Sequence, residues 1–371
     1  MSLRIAMAAA CPYPAPQGSQ VLVRDTALAL RRRGHEVFLV VYGYGAGEDT
    51  ADVRIVRSAR IPGMRRLRAG PSLLKPAADA AMIAALRRLL RAEPIDVVHA
   101  HNYEGLLVAL AARPRAPITY HAHNAMADEL PYYFLGCGRL AAAGRVFDRA
   151  LPRRADAVIA PHRALADYLV RCGCARERVL VLAPPCDPSV FAEATPSSGA
   201  EPPPVLYTGN LDAYQNLDAM ARIMQKVRAA HPEARFHVAT PVRREVRGAD
   251  RVLFTPDFES VRRVLSEDAV VACPRMSWSG YPIKLLNAMA AGRAVAAYRS
   301  VAYPITHLED GYVVEDGDEE AFAEAIIRLL TDRPLRDRLG RNARETIRRR
   351  HDPAAYAQAI EELYARAGCR V

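Results

Sequence analysis

A glycine-containing turn followed by a helix-like segment is the part of the chain best suited to bind an anion. Residues 269–273 form a β-branched apolar run of strand length. A polar turn with Ser279 and Gly280 then leads into 283–291, where apolar residues recur at helical spacing until Gly292. The first N–H groups of a helix have no intrahelical partner, and the helix dipole favours negative charge there. The pattern therefore predicts a phosphate site.

Two cationic residues lie next to this turn. Lys284 falls on the first turn of the predicted helix, and Arg275 precedes the glycine-containing turn. Only positions 75, 226 and 284 are lysine, although the chain has 51 lysine and arginine residues together. A lysine kept among so many arginines indicates a need for a compact ammonium group. We expect both side chains to neutralise a bound anion.

Two apolar segments, 95–101 and 117–123, each end in the triplet His-Ala-His. Period-two alternation places the two histidines of each triplet on one face of a strand, at its carboxyl end, where open α/β sheets bind ligands. Four imidazoles could also hold zinc, but no motif supplies carboxylates around them, so ligand contact is the favoured interpretation. The residues concerned are His99, His101, His121 and His123.

Strand-like and helix-like segments alternate along the whole chain, which is the pattern of an α/β protein with parallel sheets. The opening predicts a strand at 3–9, a loop with Gly18 and Ser19, a helix at 21–33 and a strand at 37–41. This loop lacks the G-x-G-x-x-G spacing of a dinucleotide site. Later segments predict strands at 154–160, 179–183, 205–209, 236–239, 252–254 and 295–298, and helices at 163–171, 318–330, 335–349 and 353–367.

The length of 371 residues predicts two domains. A stretch rich in proline, serine and glycine marks the boundary between them. We place a first domain at 1–190, a linker at 191–204, a second domain at 205–350 and a C-terminal helical segment at 351–371.

The formal charge of +10 raises the question of an anionic partner. No basic stretch alternates with aromatic residues and no nucleic-acid module is present, so nucleic-acid binding is not expected. A basic stretch at 54–75 interleaves arginines with Ile61, Met64 and Leu67. We expect a solvated face there, with peripheral contact to an anionic membrane as the alternative. Its arginines are Arg57, Arg60, Arg65, Arg66 and Arg68.

Cysteine usage and hydropathy indicate a soluble protein of a reducing compartment. The seven cysteines are scattered, odd in number and not at metal-ligand spacing. No window approaches the roughly 20 consecutive apolar residues that a spanning helix needs. We expect a cytoplasmic protein.

Taken in order, these motifs resemble glycosyltransferase family 4 over nearly the full length of the chain. The donor-site pattern of that family is Glu-Gly-Phe-Gly-Leu-Pro-x-x-Glu-Ala-Met-Ala-x-Gly, and it runs in register with 279–292. The resemblance implies the GT-B fold: two Rossmann-like domains whose parallel sheets face each other across a cleft, with the C-terminal helix crossing back to the first domain. It also implies an acceptor-side first domain and a nucleotide-sugar-binding second domain.

Four positions depart from the family pattern. Ser279 and Asn287 stand where the family has two glutamates, of which the first lies by the donor sugar and the second holds the ribose. Asn210 and Gln215 stand where the family has the arginine and lysine that neutralise the donor diphosphate. We expect Lys284, which replaces a family proline, to restore this charge together with Arg275 and the helix N-terminus.

The resemblance also implies roles for individual residues. His123 would touch the donor sugar, and the loop with Gly18 would face the donor across the cleft. Backbone N–H groups of Gly280 and Tyr281 would bind the sugar. The remaining donor-side positions, at the phosphates and ribose, are Ile283, Leu285, Leu286 and Asn287, and 129–133 would form an acceptor-side segment.

The activity implied is the transfer of a sugar from a UDP- or GDP-sugar to an acceptor hydroxyl, with retention of configuration and with no metal or other cofactor. The acceptor would be a carbohydrate, a lipid-linked molecule or a small metabolite. One alternative is a catalytically degenerate subunit that binds a nucleotide or a partner, since four motif positions are substituted. Another is a sugar-nucleotide epimerase, for which the sequence shows no acid/base carboxylates.

Overall fold

The computed structural model describes residues 2–14, 18–45, 53–62, 74–133, 138–191 and 202–369. The first sheet has seven strands in the order β3-β2-β1-β4-β5-β6-β7, and every pairing in it is parallel. Its strands are β1 Arg4–Ala9, β2 Glu36–Val41, β3 Arg54–Arg57, β4 Val97–His101, β5 Ile118–His121, β6 Ala157–Ala160 and β7 Val179–Val181.

The second sheet has six parallel strands in the order β10-β9-β8-β11-β12-β13. Its strands are β8 Val205–Thr208, β9 Phe236–Thr240, β10 Arg251–Phe254, β11 Val270–Cys273, β12 Ala294–Tyr298 and β13 Tyr312–Val314. The central strands β8, β11 and β12 are buried along their whole length, as parallel strands covered by helices on both faces must be. The predicted pair of Rossmann-like domains is therefore confirmed.

The described residues include twelve α-helices. In the N-terminal domain they are α1 Gly18–Arg32, α2 Lys75–Ala92, α3 Asn102–Ala112, α4 Met126–Tyr133, α5 Gly138–Ala150 and α6 Arg163–Arg171. In the C-terminal domain they are α7 Leu217–Ala230, α8 Phe258–Ser266, α9 Ile283–Ala290, α10 Glu319–Thr331 and α11 Arg333–Arg350, and α12 Pro353–Arg366 follows. None of these helices is both long enough and apolar enough to span a bilayer.

The last helix returns to the first sheet, as the GT-B resemblance implies. Tyr356, Ile360 and Tyr364 of α12 are buried in one apolar cluster with Ile5 and Met7 of β1. Since α11 packs on the second sheet, the chain crosses between the domains at the start of α12.

The basic stretch at 54–75 is only partly within the described residues. It begins with a strand, because Arg54–Arg57 pairs with β2 at the edge of the first sheet, and Arg57 and Arg60 are exposed, as a solvated face predicts. Residues 63–73, including Met64, Arg65, Arg66, Leu67 and Arg68, are outside the described residues, as is most of the predicted linker. The membrane contact proposed for this stretch stays a prediction.

Candidate functional site

A cleft lies between the carboxyl ends of the two sheets. Its enclosed volume is about 160 Å³. Pockets that bury a drug-sized ligand are larger, from roughly 300 Å³ upwards, and hydrogen bonds from Asp128 and His162 to Ser279 hold the two domains in contact here. The residues that line it lie in the loops and helices that come after the strands. They are Gly18, Ser19, Leu22, His123, Asn124, Glu129, Tyr132 and Pro161 from the N-terminal domain, and Asn210, Tyr214, Arg275, Ser277, Ser279, Gly280, Tyr281 and Ile283 from the C-terminal domain.

Lys284 and the two substituted positions after β8 form one hydrogen-bonded chain. Lys284 Nζ donates to Gln215 Oε1 at 2.6 Å, and Gln215 Nε2 donates to Asn210 Oδ1 at 2.7 Å. The ammonium also lies 4.0 Å from the centre of the Tyr207 ring, a cation–π contact. Gly209, at φ +129°, makes room for it, since a Cβ there would lie 3.2 Å from Nζ. One cation from α9 thus sits beside the two positions that carry charge in the family pattern.

Arg275 is the second cation of this wall. Its guanidinium lies 5.0 Å from the centre of the Tyr214 ring and donates through Nη2 to Ser277 Oγ at 3.2 Å. A Cβ at Gly280 would overlap Nη2, so glycine at 280 is what lets the arginine lie under the turn. Its Nε is buried and has no partner among the described residues. The guanidinium therefore has hydrogen-bonding capacity left for an anion in the cleft.

The electrostatics of Lys284 are unusual for a lysine. The pKa of its ammonium is lowered to about 7, chiefly by burial and also by the nearby Arg275 charge, while Cys273 and Asp212 act in the opposite direction. A lysine with this pKa is partly neutral at physiological pH. A diphosphate beside it would favour the charged form and raise the pKa again.

This pKa predicts how diphosphate affinity depends on pH. Between pH 7 and the higher pKa of the complex, Lys284 is mostly neutral in the free protein and charged in the complex, so binding takes up a proton. Affinity for a nucleoside diphosphate should then fall as pH rises above 7, by at most about tenfold per pH unit for one proton. Titration calorimetry at pH 7, 8 and 9, in buffers of different ionisation enthalpy, measures both effects. A Lys284→Gln variant should show neither, and wild-type affinity that is flat over this range would contradict the assignment.

A carboxylate from the opposite domain binds the loop at Ser279. Asp128 Oδ2, on α4, accepts hydrogen bonds from Ser277 Oγ at 2.8 Å, from Ser279 Oγ at 2.6 Å and from Ser279 N at 3.1 Å. The sequence gives no local sign of this contact, because the partners are about 150 residues apart. The loop that carries Gly280 and Tyr281 is thereby fixed across the cleft.

His162 fixes the same loop from a second point. Its Nδ1 accepts from Leu165 N at 3.2 Å, as the cap of α6, so its Nε2 carries the hydrogen and donates to Ser279 O at 3.0 Å. Burial lowers the pKa of this imidazole to about 4, which keeps it neutral. Its ring stacks on Tyr303 with 3.8 Å between centroids. Sequence reasoning missed this residue too.

The N-terminal domain supplies the other wall of the cleft. His123 is buried at the cleft floor, with Nε2 bound to His101 Nδ1 at 3.0 Å. Asn124 Nδ2 donates to Glu129 Oε2, and this amide and carboxylate line the cleft together with His123. Gly18, at the start of α1, faces Ile283 across the cleft, since a Cβ at 18 would lie 3.7 Å from Ile283 Cγ1. The predicted meeting of these residues is observed.

Five predicted donor-side residues are not among those that line the cleft: Gln215, Lys284, Leu285, Leu286 and Asn287. The Leu285 N–H donates to Pro282 O at 2.9 Å, because the first turn of α9 is tight, so this amide is not free for a phosphate in this conformation. The side chains of Leu285 and Leu286 are fully buried in the core of the C-terminal domain, but the predicted phosphate contact is through the amides, so the Leu286 contact stays a prediction. Asn287 is half-buried and does not line the enclosed part of the cleft. Its ribose role stays a prediction.

The histidines are also the group nearest to a metal site in the described part of the chain. His99, His101 and His121 each place one nitrogen within 4.8 Å of the others. Zinc bonds of about 2.0–2.1 Å would require ligand nitrogens roughly 3.4 Å apart. The group is looser than that and includes no carboxylate. The expectation of a metal-free site is not tested by this geometry.

Comparison with protein families matches both halves of the chain. Residues 17–185 match the model of a glycosyl transferase 4-like domain, and residues 202–332 match the model of glycosyl transferases group 1. Together the two matches span most of the chain.

Curated relatives match at low identity or over short segments. The sulfoquinovosyl transferase SQD2 of Arabidopsis thaliana is 25% identical over 365 residues, covering 91% of this chain and 68% of that protein. The D-inositol 3-phosphate glycosyltransferase of Corynebacterium glutamicum is 24% identical over 387 residues, covering 94% and 91%. An exopolysaccharide phosphotransferase of Streptomyces coelicolor is 41% identical over only 75 residues, which is 19% of this chain and 8% of that protein.

Solved structures agree on the fold. A sucrose-phosphate synthase from Thermosynechococcus elongatus superposes with a TM-score of 0.79 at 18% identity, covering 98% of both chains. Anabaena HepE in complex with UDP and glucose superposes with a TM-score of 0.73 at 16% identity, covering 98% of this chain and 100% of that one. With the sheet topology, the closed cleft and both domain matches in place, the chain belongs to the glycosyltransferase 4-like proteins of the GT-B fold.

Proposed function

We propose that this protein transfers a sugar from a nucleoside-diphosphate donor to an acceptor hydroxyl, with retention and without a metal ion. The observation that carries the proposal is a pair of cations: Arg275, which lines the cleft beside the loop at 279–281, and Lys284, which is linked through Gln215 to the lining residue Asn210. A leaving nucleoside diphosphate develops negative charge, and cations fixed at that point stabilise the transition state. Two side-chain cations can supply this charge themselves, which supports metal independence.

The opposite wall suits the donor sugar and the acceptor. His123, Asn124 and Glu129 present an imidazole, an amide and a carboxylate to the cleft, and Tyr132 faces Tyr214 across it with 5.9 Å between ring centroids. Sugars are bound by such combinations of hydrogen-bonding groups and aromatic rings. We propose that the donor sugar lies against His123 and that the acceptor enters past Tyr132. Asn287 would reach the ribose once the cleft opens and accommodates the nucleotide.

The donor base is proposed as uracil ahead of guanine, because the similar HepE structure holds UDP and glucose.

We also propose a cytoplasmic location, since the six cysteines among the described residues are all unpaired. The alternative remains a degenerate binding protein, motivated by the substitutions at 210, 215, 279 and 287.

Donor hydrolysis separates the two candidates without knowledge of the acceptor. The protein is incubated with UDP-, GDP- and ADP-hexoses, and release of the nucleoside diphosphate is followed while water takes the place of the acceptor. A glycosyltransferase should release one diphosphate above the buffer rate and retain the anomeric configuration of the sugar by NMR. Saturable binding of a donor with no release, also in the presence of sugar, lipid and polyol acceptors, would favour the degenerate protein.

A further inference from the structure

A second cavity adjoins the cleft beside the N-terminal domain. Its volume is about 510 Å³, and helices α4, α5 and α6 form three of its walls. The C-terminal domain completes it with Trp278, from the loop that also carries Ser279. Tyr132 lines both the cavity and the cleft, so the two spaces meet at this side chain.

A buried carboxylate fixes these three helices to one another. Asp148 of α5 is fully buried and accepts hydrogen bonds from Met126 N at 2.9 Å and Ala127 N at 3.0 Å, at the start of α4. It also accepts from the Tyr168 hydroxyl of α6 at 2.6 Å. Gly144 lets α5 approach α4 this closely, because a Cβ there would lie 2.5 Å from Ala127 N. The cavity walls are therefore preorganised.

Aromatic rings form much of the cavity lining. Trp278 packs edge-on against Tyr168, with 5.4 Å between ring centroids, and Tyr132 lies next to them in the lining. Trp278 is half-buried and Tyr132 is 37% exposed, so both leave ring surface free for a ligand. Such rings bind the apolar face of a sugar or polyol ring.

Arg145 of α5 is the cation that lines this cavity. It is exposed, and among the described residues it has no hydrogen-bond, ion-pair or ring partner. Arg149, one turn further along α5, is exposed and equally unpaired within the described part of the chain. A guanidinium binds phosphate through two parallel N–H groups, and the second positive charge nearby favours a dianion over a monoanion.

Asp128 places a hydrogen-bond acceptor on the cleft side of the same cavity. Its Oδ2 accepts three hydrogen bonds from Ser277 and Ser279, which both line the cleft. Its Oδ1 has no partner among the described residues, so a ligand hydroxyl can donate to it. Arg145 and Asp128 do not pair with each other, although both line the cavity. A ligand with an anionic end and a hydroxyl end therefore has one favoured orientation.

We propose that this cavity binds the acceptor, and that the acceptor carries a phosphate group on a sugar or polyol. The phosphate lies on Arg145, the carbon skeleton lies against Tyr132 and Trp278, and the hydroxyl groups lie toward Asp128 and the cleft. Calling this ligand the acceptor rests on the proposed function, whereas the phosphate site does not. The phosphate belongs to a soluble ester or to a lipid headgroup, and the same side chains bind it in both.

Trp278 is the only tryptophan of the chain and lines the cavity, so its fluorescence reports binding without a donor or turnover. Soluble probes are glucose 6-phosphate, glycerol 3-phosphate and inositol 1-phosphate, each compared with its unphosphorylated parent. Lipid probes are phosphatidylcholine vesicles with and without phosphatidylglycerol or phosphatidylinositol. We expect a saturable change with a phosphorylated probe, and an affinity about tenfold or more above that of the parent. A response to vesicles alone identifies the lipid source, and a response to soluble esters identifies the free one.

Arg145→Gln should weaken binding of the phosphorylated probe by about ten- to hundredfold, the usual effect of losing hydrogen bonds to a charged group. Arg149→Gln is the matched control, because it removes an exposed arginine of the same helix that does not line the cavity. It should bind the probe as the wild type does. With an active donor, the phosphorylated probe should accept the sugar, and Arg145→Gln should raise its KM by the same factor.

The proposal is overturned if no phosphorylated probe changes the fluorescence at millimolar concentration, or if each ester binds no better than its parent. Equal affinity in wild type and Arg145→Gln would also overturn it, as would transfer to unphosphorylated parents alone. Binding of a phosphate that depends on Arg145, in a protein that releases diphosphate from no donor, would support the site and contradict only the proposed transferase.

Discussion

Replacing Lys284 by glutamine is expected to lower donor kcat/KM by about 10²- to 10³-fold, the usual effect of removing one preorganised donor to a developing anion. The chain lacks the arginine and lysine expected at 210 and 215, and the ammonium of Lys284 is the cation bound to Gln215, which in turn binds Asn210. Affinity for the nucleoside diphosphate should fall as well, because the product carries the charge that the lysine neutralises.

The measurement combines steady-state donor hydrolysis with calorimetry of the diphosphate, and a thermal melt to show that the variant is folded. Lys226→Gln is the matched control, because Lys226 is an exposed lysine of α7 paired with Glu320. It should behave as the wild type. Equal affinity and turnover in Lys284→Gln and wild type would show that the charge is supplied elsewhere, with Arg275 as the remaining candidate.

Replacing Asp128 by alanine is expected to lower donor kcat/KM by about 10- to 100-fold, in line with roughly 1.5–3 kcal/mol for hydrogen bonds to a charged group. One carboxylate oxygen accepts three hydrogen bonds from Ser277 and Ser279. Without it, the loop that presents Gly280 and Tyr281 loses its anchor on the opposite domain. The loss should appear mainly in kcat, because the closed cleft is where the transition state is bound.

The only tryptophan of the chain reports this closure directly. Trp278 lies in the anchored loop and packs edge-on against Tyr168 of the opposite domain, with 5.4 Å between ring centroids. Its fluorescence should shift to longer wavelength in Asp128→Ala, since an open cleft exposes the indole to water. Asp167→Ala, which removes an exposed carboxylate paired with Arg176 in the same domain, should leave the spectrum unchanged. An unshifted spectrum in Asp128→Ala would mean that the domains stay closed without this contact.

The sequence was sufficient for the parts of the site that depend on regular periodicity. Apolar runs of strand length and the His-Ala-His triplets predicted parallel strands with histidines at their carboxyl ends, and those rings do meet. The register with the family pattern placed Lys284 near Asn210 and Gln215, which the structure confirms. These features are local in sequence or repeat with a fixed period.

The parts that could not be predicted are contacts between the domains. Asp128 and His162 meet Ser279 from 151 and 117 residues away, and no local pattern marks either residue as a partner of that loop. The family resemblance implies a phosphate contact for the Leu285 amide at the N-terminus of α9, but the tight first turn of this helix uses that N–H group. Tertiary geometry decided both cases.

The proposed transferase must bind a nucleoside diphosphate in its cleft, so the decisive measurement is a calorimetric titration of UDP, GDP and ADP into the wild-type protein at pH 7. We expect one of the three to bind saturably with a stoichiometry of one and to raise the melting temperature by mass action. Absence of binding by all three, at millimolar concentration and with a folded protein, would contradict a diphosphate site at Lys284 and with it the proposed transferase.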